Sequence, residues 1–196
     1  MTEQERVKIK RVLENIYFHL NKDDLPFSLD DLEHKNFLEV LGLFGDIKKN
    51  NDDEIKKLIK EAKSLCLKEE YLLCLTLLNR LIKIDPYEWR HYSNRAYAYA
   101  KERKYDEAIE DLTKSIYLNP SNSETYRFRG SMHRVLNNYP DCINDLTKSI
   151  ELNPNDSYSY NYRGLCYKDI MENELAEADF FMELKLLELE KAKINA

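Results

Sequence analysis

The side chains in this chain that could act on another molecule are of few kinds. There are four histidines and four cysteines, set among many lysines, arginines and tyrosines. His19, His34, His91 and His133 form no H-E-x-x-H spacing, and no G-x-S-x-G, Walker or dinucleotide glycine pattern occurs. Carboxylate pairs such as Asp52/Asp53 and Glu69/Glu70 fall near expected helix starts, where they favour the helix dipole. Cys66, Cys74, Cys142 and Cys166 make no C-x-x-C pair and have no histidine pair at metal-ligand spacing. They read as scattered, reduced core cysteines. No enzyme, metal site or cofactor is therefore expected. What remains is recognition chemistry, in which cations grip carboxylates and aromatic rings supply flat apolar contact.

Those side chains need elements to position them, and the elements repeat. Pro86, Pro120 and Pro154 are 34 residues apart. DLTKSIYLNP ends at Pro120 and DLTKSIELNP at Pro154, while the earlier LLNRLIKIDP keeps the same apolar skeleton. Tyr71, Tyr105 and Tyr139 share the step, and so do the small residues Cys74, Ala108 and Cys142. Ala62, Ala96, Gly130 and Gly164 form another small series, and Arg95, Arg129 and Arg163 recur alongside them.

One copy has the pattern of a helical hairpin. Trp89, Tyr92, Ala96 and Tyr99 recur at helical spacing. KERKY supplies a turn, and Ala108, Ile109, Leu112 and Ile116 share one face of a second helix. Asn119-Pro120 stops that helix, because proline lacks a donor and restricts the residue before it. Small residues mark where two helices cross closely. A lone hairpin cannot bury its apolar faces, so copies must stack.

This pattern resembles the tetratricopeptide repeat family in its period, small residues, tyrosine and terminal proline. The resemblance implies an all-α, right-handed superhelical solenoid of antiparallel hairpins, in about four copies at 55–88, 89–122, 123–156 and 157–190. The first copy has Leu58 where the others have an aromatic, and the fourth has Asn173 where the others have Tyr. Residues 174–193 read as one long helix whose face of Leu175, Ala178, Phe181, Met182, Leu186 and Leu189 caps the stack. Residues 1–50 fall outside the register and read as an N-terminal helical pair, with residues 51–196 as the repeat domain. Thr2 to about Leu20 is the first helix. Ser28 caps a second that runs to about Phe44, and Gly45 suits its end.

In the first helix of each copy one stripe is left over after packing. It runs Lys56, Ile59, Lys63, Cys66, then Arg90, Ser93, Tyr97, Ala100. It continues as Glu124, Arg127, Ser131, Arg134, then Tyr158, Asn161, Leu165, Lys168. The resemblance implies that such positions line a concave peptide groove. Lys63, Arg90, Arg127, Arg134 and Lys168 stand against Glu124 alone, which favours an acidic peptide, and Tyr97 and Tyr158 add aromatic contact. HYSNRAYAYAK resembles the middle helix of the carboxylate clamp that grips heat-shock chaperone C-termini, with Asn94 in the clamp position. Ile59, Lys63, Glu124 and Phe128 do not match that clamp, so chaperone docking is not expected. The arginine series recurs in every copy and so reads as structural, with heads reaching a carboxylate or carbonyl along the seam.

The net charge is −6 with 34% charged residues, an acidic balance that argues against nucleic acid. MTEQERVKIK has no apolar core of a secretion signal, and no long apolar run occurs. The expectation is a cytoplasmic protein-interaction scaffold with no membrane insertion. The alternative is a structural or self-associating subunit that uses its terminal helices as an oligomer contact.

Overall fold

The computed structural model describes the backbone of residues 37–194 and the side chains of 52–193. The expected helix over 2–20 and the Ser28 cap lie outside the described residues. Eight α-helices are described: α1 (Phe37–Leu67), α2 (Tyr71–Ile84), α3 (Trp89–Lys101), α4 (Tyr105–Leu118), α5 (Ser123–Val135), α6 (Tyr139–Leu152), α7 (Ser157–Asp169) and α8 (Asn173–Ile194). The described residues contain no strand. Residues 1–87 and 88–196 form two compact units.

In the first unit α1 packs on α2. Leu58 and Ala62 are buried with Cys74, Leu78 and Leu81. An Arg80–Glu54 ion pair ties the two helices together at 2.5 Å. The helix end expected at Gly45 is absent, because α1 runs unbroken through it. The two interior glycines of α1, Gly42 and Gly45, cost about 1 kcal/mol each, which good helix-forming neighbours can offset.

In the second unit α3/α4, α5/α6 and α7/α8 are hairpins, with α5 against α4 and α7 against α6. Every hairpin turn carries one residue in the left-handed region: Glu69, Arg103, Asn137 and Met171, all with φ between 59° and 64°. The next residue donates its N–H five residues back, as Lys104 to Tyr99 O at 2.9 Å and Glu172 to Tyr167 O at 2.9 Å. This bond satisfies carbonyls that a helix end otherwise leaves open. The turn is thus identical in the fourth copy, even though Asn173 has replaced the tyrosine.

The small residues lie where the helices of a hairpin meet. A Cβ on Gly130 would come 2.9 Å from Leu146 Cγ, and one on Gly164 only 2.8 Å from Phe180 Cε1. Over the same crossing lies the recurrent arginine. Arg95 donates to Asp111 at 2.7 and 2.6 Å, Arg129 to Asp145 at 2.8 and 2.7 Å, and Arg163 to Asp179 at 2.8 Å twice. The third donor of Arg129 reaches Thr113 Oγ1 in the preceding hairpin at 3.0 Å, and that of Arg163 reaches Thr147 likewise. The structural reading of these arginines is what the geometry shows. His133, in the slot of Tyr99 and Tyr167, packs beside Asp145 with its Nε2 3.8 Å from the carboxylate.

Two expectations are overturned. The cysteines are paired, not scattered: Cys66 bonds Cys74 between α1 and α2, and Cys142 bonds Cys166 between α6 and α7. Cys74 and Cys142 hold the close-approach slot of the second helix, so a cysteine on the facing helix falls within reach. Disulfides persist in oxidising compartments, and this pairing pulls against the cytoplasmic expectation. The second correction concerns α8. Ala176, Asp179 and Leu186 are its buried residues, whereas Leu175, Ala178, Phe181 and Leu189 face solvent. Register decides which face packs. Ala176 and Asp179 fill the slots of Cys142 and Asp145, which turns most of the expected apolar face outward.

Two outcomes follow from this packing. Asp145→Ala strands a guanidinium that is about one-fifth exposed. It should lower unfolding stability by about 3 kcal/mol in urea titration, while replacing both partners with apolar residues should cost less. Cys142→Ala/Cys166→Ala should cost about 3 kcal/mol more under oxidising conditions than in dithiothreitol, where only the lost packing of two buried sulfurs remains. A wild-type melting temperature unmoved by dithiothreitol would show that the α6–α7 bond is not made.

Candidate peptide-binding surface

The first helices of the second unit carry most of the expected site residues, and side chains link neighbouring first helices along the stripe. The Tyr97 ring on α3 lies 6.4 Å from the Phe128 ring on α5, at a tilt of 52°. The Arg127 guanidinium on α5 lies 5.2 Å over the Tyr158 ring on α7. Tyr97 and Tyr158 remain 43% and 63% exposed. The result is a row of ring contacts across three first helices, in which Tyr97 and Tyr158 face solvent and Phe128 is half-buried against the core. Lys101 hangs over Tyr97, its Nζ 5.3 Å from the ring centre. Sequence reasoning missed Phe128 and Lys101 as members of this row. Phe128 had been counted only as a failed clamp residue, and Lys101 sits one position off the stripe.

The cations are not arranged as expected. Arg127 Nε is 3.1 Å from Asp156 Oδ2, an ion pair too bent for a hydrogen bond. Arg134 donates to Asp169 Oδ2 at 2.9 Å. Arg90 bonds Glu88 at 3.0 Å and lies 4.6 Å over the Trp89 ring. Asn161 donates to Glu183 of α8 at 2.8 Å, so its amide is held from the side. Asn94 and Lys168 are exposed, as is Glu124. Lys63 lies on α1 in the first unit, exposed there. The expectation of five cations against one carboxylate therefore gives way to a largely neutralised surface. The neutralising carboxylates are Glu88 just before α3, Asp156 in the loop before α7 and Asp169 in the last turn of α7, none of which belongs to the stripe.

Among the described residues no group of three or more His, Cys, Asp or Glu side chains is placed to hold a metal ion. None of the described helices is long and apolar enough to cross a membrane.

Stacked hairpins with one turn geometry, one buried ion pair and a 34-residue step define a helical-repeat protein. Family models of the tetratricopeptide repeat match residues 89–122 and residues 146–179. The second unit of the chain therefore carries tetratricopeptide repeats. Comparison with curated proteins finds no match. Among solved structures the fold is similar to that of a crystal structure of MamA, at 19% identity and a TM-score of 0.68, over 86% of this chain and 99% of that one. It is also similar to the first TPR of Spaghetti (RPAP3) bound to HSP90 peptide SRMEEVD, at 22% identity and a TM-score of 0.59, over 61% of this chain and 94% of that one. The second TPR of Spaghetti, bound to the same peptide, is 25% identical with a TM-score of 0.50, over 50% and 92% of the two chains.

If Asp169 masks Arg134, Asp169→Asn should tighten binding of an acidic test peptide severalfold in fluorescence anisotropy at low salt. The gain should vanish at high salt, where exposed charges are screened.

Proposed function

We propose that this chain is a protein-interaction adaptor and that its second unit holds a peptide segment along α3, α5 and α7. The exposed rings of Tyr97 and Tyr158, the first beside Phe128 and the second under Arg127, are the observation that carries the proposal. Exposed aromatic rings on a rigid scaffold lose little entropy on binding, and such rings dominate recognition surfaces. Their support is unusually fixed, because each ring sits on a helix locked by an arginine–aspartate pair and stacked on its neighbour.

The neutralised cations shape the class of peptide. Arg127 and Arg134 already hold carboxylates, so a strongly acidic ligand gains little from them. Lys101 and Lys168 remain exposed on either side of the aromatic row. The surface therefore suits a segment with an apolar or aromatic anchor and one flanking carboxylate. Two of the similar structures hold the peptide SRMEEVD. Glu124 and Phe128 make the same use by this chain unfavourable, since Glu124 would repel a C-terminal carboxylate.

Tyr97→Ala and Tyr158→Ala remove exposed rings and should leave the helical circular dichroism unchanged. Each should weaken capture of a cognate peptide from a display library by about tenfold, or roughly 1.4 kcal/mol. Lys101→Glu should weaken acidic members of the selected set selectively. If peptides selected on the native chain bind Tyr97→Ala/Tyr158→Ala equally well, the first helices are not the binding surface.

A further inference from the structure

The seams between neighbouring hairpins in the second unit are built from a fixed set of slots. A first-helix arginine bonds a second-helix threonine: Arg129 to Thr113 and Arg163 to Thr147, each at 3.0 Å. Three residues further along the first helix, Met132 packs in one core cluster with Ala108, and Cys166 bonds Cys142. One turn earlier, Ser159 Oγ meets Ser149 Oγ at 2.8 Å. The first and last described hairpins have both lost the polar member of this set. In α1 and α2 the arginine slot holds Glu61 and the aspartate slot holds Leu77. Among the described residues that face is a groove whose lining includes Glu61, Ser64, Leu65, Leu73 and Leu77, with Leu73 55% exposed. In α8 the threonine slot holds Phe181, 65% exposed, beside Leu184, 60% exposed.

We propose that these two faces bind each other between copies of the chain, with α8 of one molecule seated in the α1/α2 groove of the next in the register of an internal seam. That register sets Phe181 against Leu77 and the stem of Glu61. It also sets Ala176 against Ser64, small against small, where the internal seam has Cys142 against Cys166. Finally it sets Glu183 against Lys57, opposite charges in the slots of Ser149 and Ser159. Each face has given up the arginine–threonine bond, with Phe181 standing for threonine on α8 and Glu61 for arginine on α1. An internal-type face would leave its arginine without the threonine if it met Phe181. Glu61 is exposed, so its carboxylate can stay at the solvated rim while its stem and Leu77 meet the ring. The contact is heterologous, so one face stays open on each terminal molecule and assembly continues unless a ring closes. Phe181 and Leu184 lie on α8, whereas the aromatic row lies on α3, α5 and α7.

The full-length chain is examined by sedimentation velocity over a concentration series. Wild type should gain mass with concentration beyond a dimer. Leu73→Glu and Phe181→Glu change exposed side chains, so circular dichroism should be unaltered, and each variant alone should be a monomer. An equimolar mixture of the two should give a species of twice the monomer mass and no larger. Each variant keeps one intact face, and the two intact faces are complementary. Lys57→Glu should weaken association at least tenfold, and Lys57→Glu/Glu183→Lys in one chain should restore most of it. A wild type that stays monomeric throughout overturns the proposal. So does a closed dimer indifferent to both substitutions, or a mixture that remains monomeric. If residues 1–36 of the same chain fill the groove, wild type is monomeric and Leu73→Glu lowers its melting temperature, which also overturns it.

Discussion

The bond between a first-helix arginine and the aspartate sixteen residues later fixes the three hairpins of the second unit. A guanidinium offers donors in a rigid planar fork. Two donors on Arg129 and on Arg163 face the carboxylate within the hairpin, and a third faces a threonine in the preceding hairpin. The same group therefore sets the separation of two helices and the register of the next pair. Hydrogen bonding to aspartate raises the pKa of Arg95, Arg129 and Arg163 above the ordinary arginine range, while burial pulls the other way. A raised pKa means a stabilising contribution that is present below the unfolded value and is lost only as pH climbs through the folded one. No ordinary pH reaches that window, so the seam holds across the conditions in which proteins work.

With the fork in place, the rest of the hairpin follows from steric need. The helices approach closely enough that Gly130 and Gly164 have no room for a Cβ. The turn must then reverse the chain within a few residues. Placing one non-glycine residue in the left-handed region achieves this, at a cost of about 1 kcal/mol. Tyrosine rings flank the fork, with Arg163 5.9 Å from both Tyr160 and Tyr167. The abundance of tyrosine thus has a packing cause in the repeat, and only the rings that point along the first-helix stripe are left for recognition.

The features legible in the sequence are those each copy must satisfy separately. Prolines, small residues and arginines recur because every hairpin poses the same problem, so their period discloses the fold and the seam. What escaped reading depends on partners outside the local pattern. Cys142 meets Cys166 across a seam, 24 residues away and in no motif. Asp156 and Asp169 neutralise Arg127 and Arg134 from a loop and a helix end, so a stripe of cations was visible and its counter-charges were not. The face of α8 was misjudged for a related reason. Counting apolar residues selects Phe181 and Leu175, whereas register buries Asp179 because Arg163 waits for it. Hydrophobic periodicity and register agree in most helices, and where they part, the partner of a buried charge decides.

That last point carries the argument from stability to purpose. A solenoid built on a repeated polar bond can be extended only by a unit that supplies the complementary group. The threonine at positions 113 and 147 invites a following arginine, and Phe181 withdraws the invitation. Glu61 in the arginine slot makes the matching withdrawal at the first described hairpin. An end cap meant only for solvent is best served by small polar side chains, since exposed aromatic and leucine surface favours association. Phe181, Leu184 and Leu73 are the opposite of that. Such side chains suit a face that a second copy covers. The departures from the repeat at 61, 77 and 181 are better understood as a changed specificity of docking than as decay of the pattern.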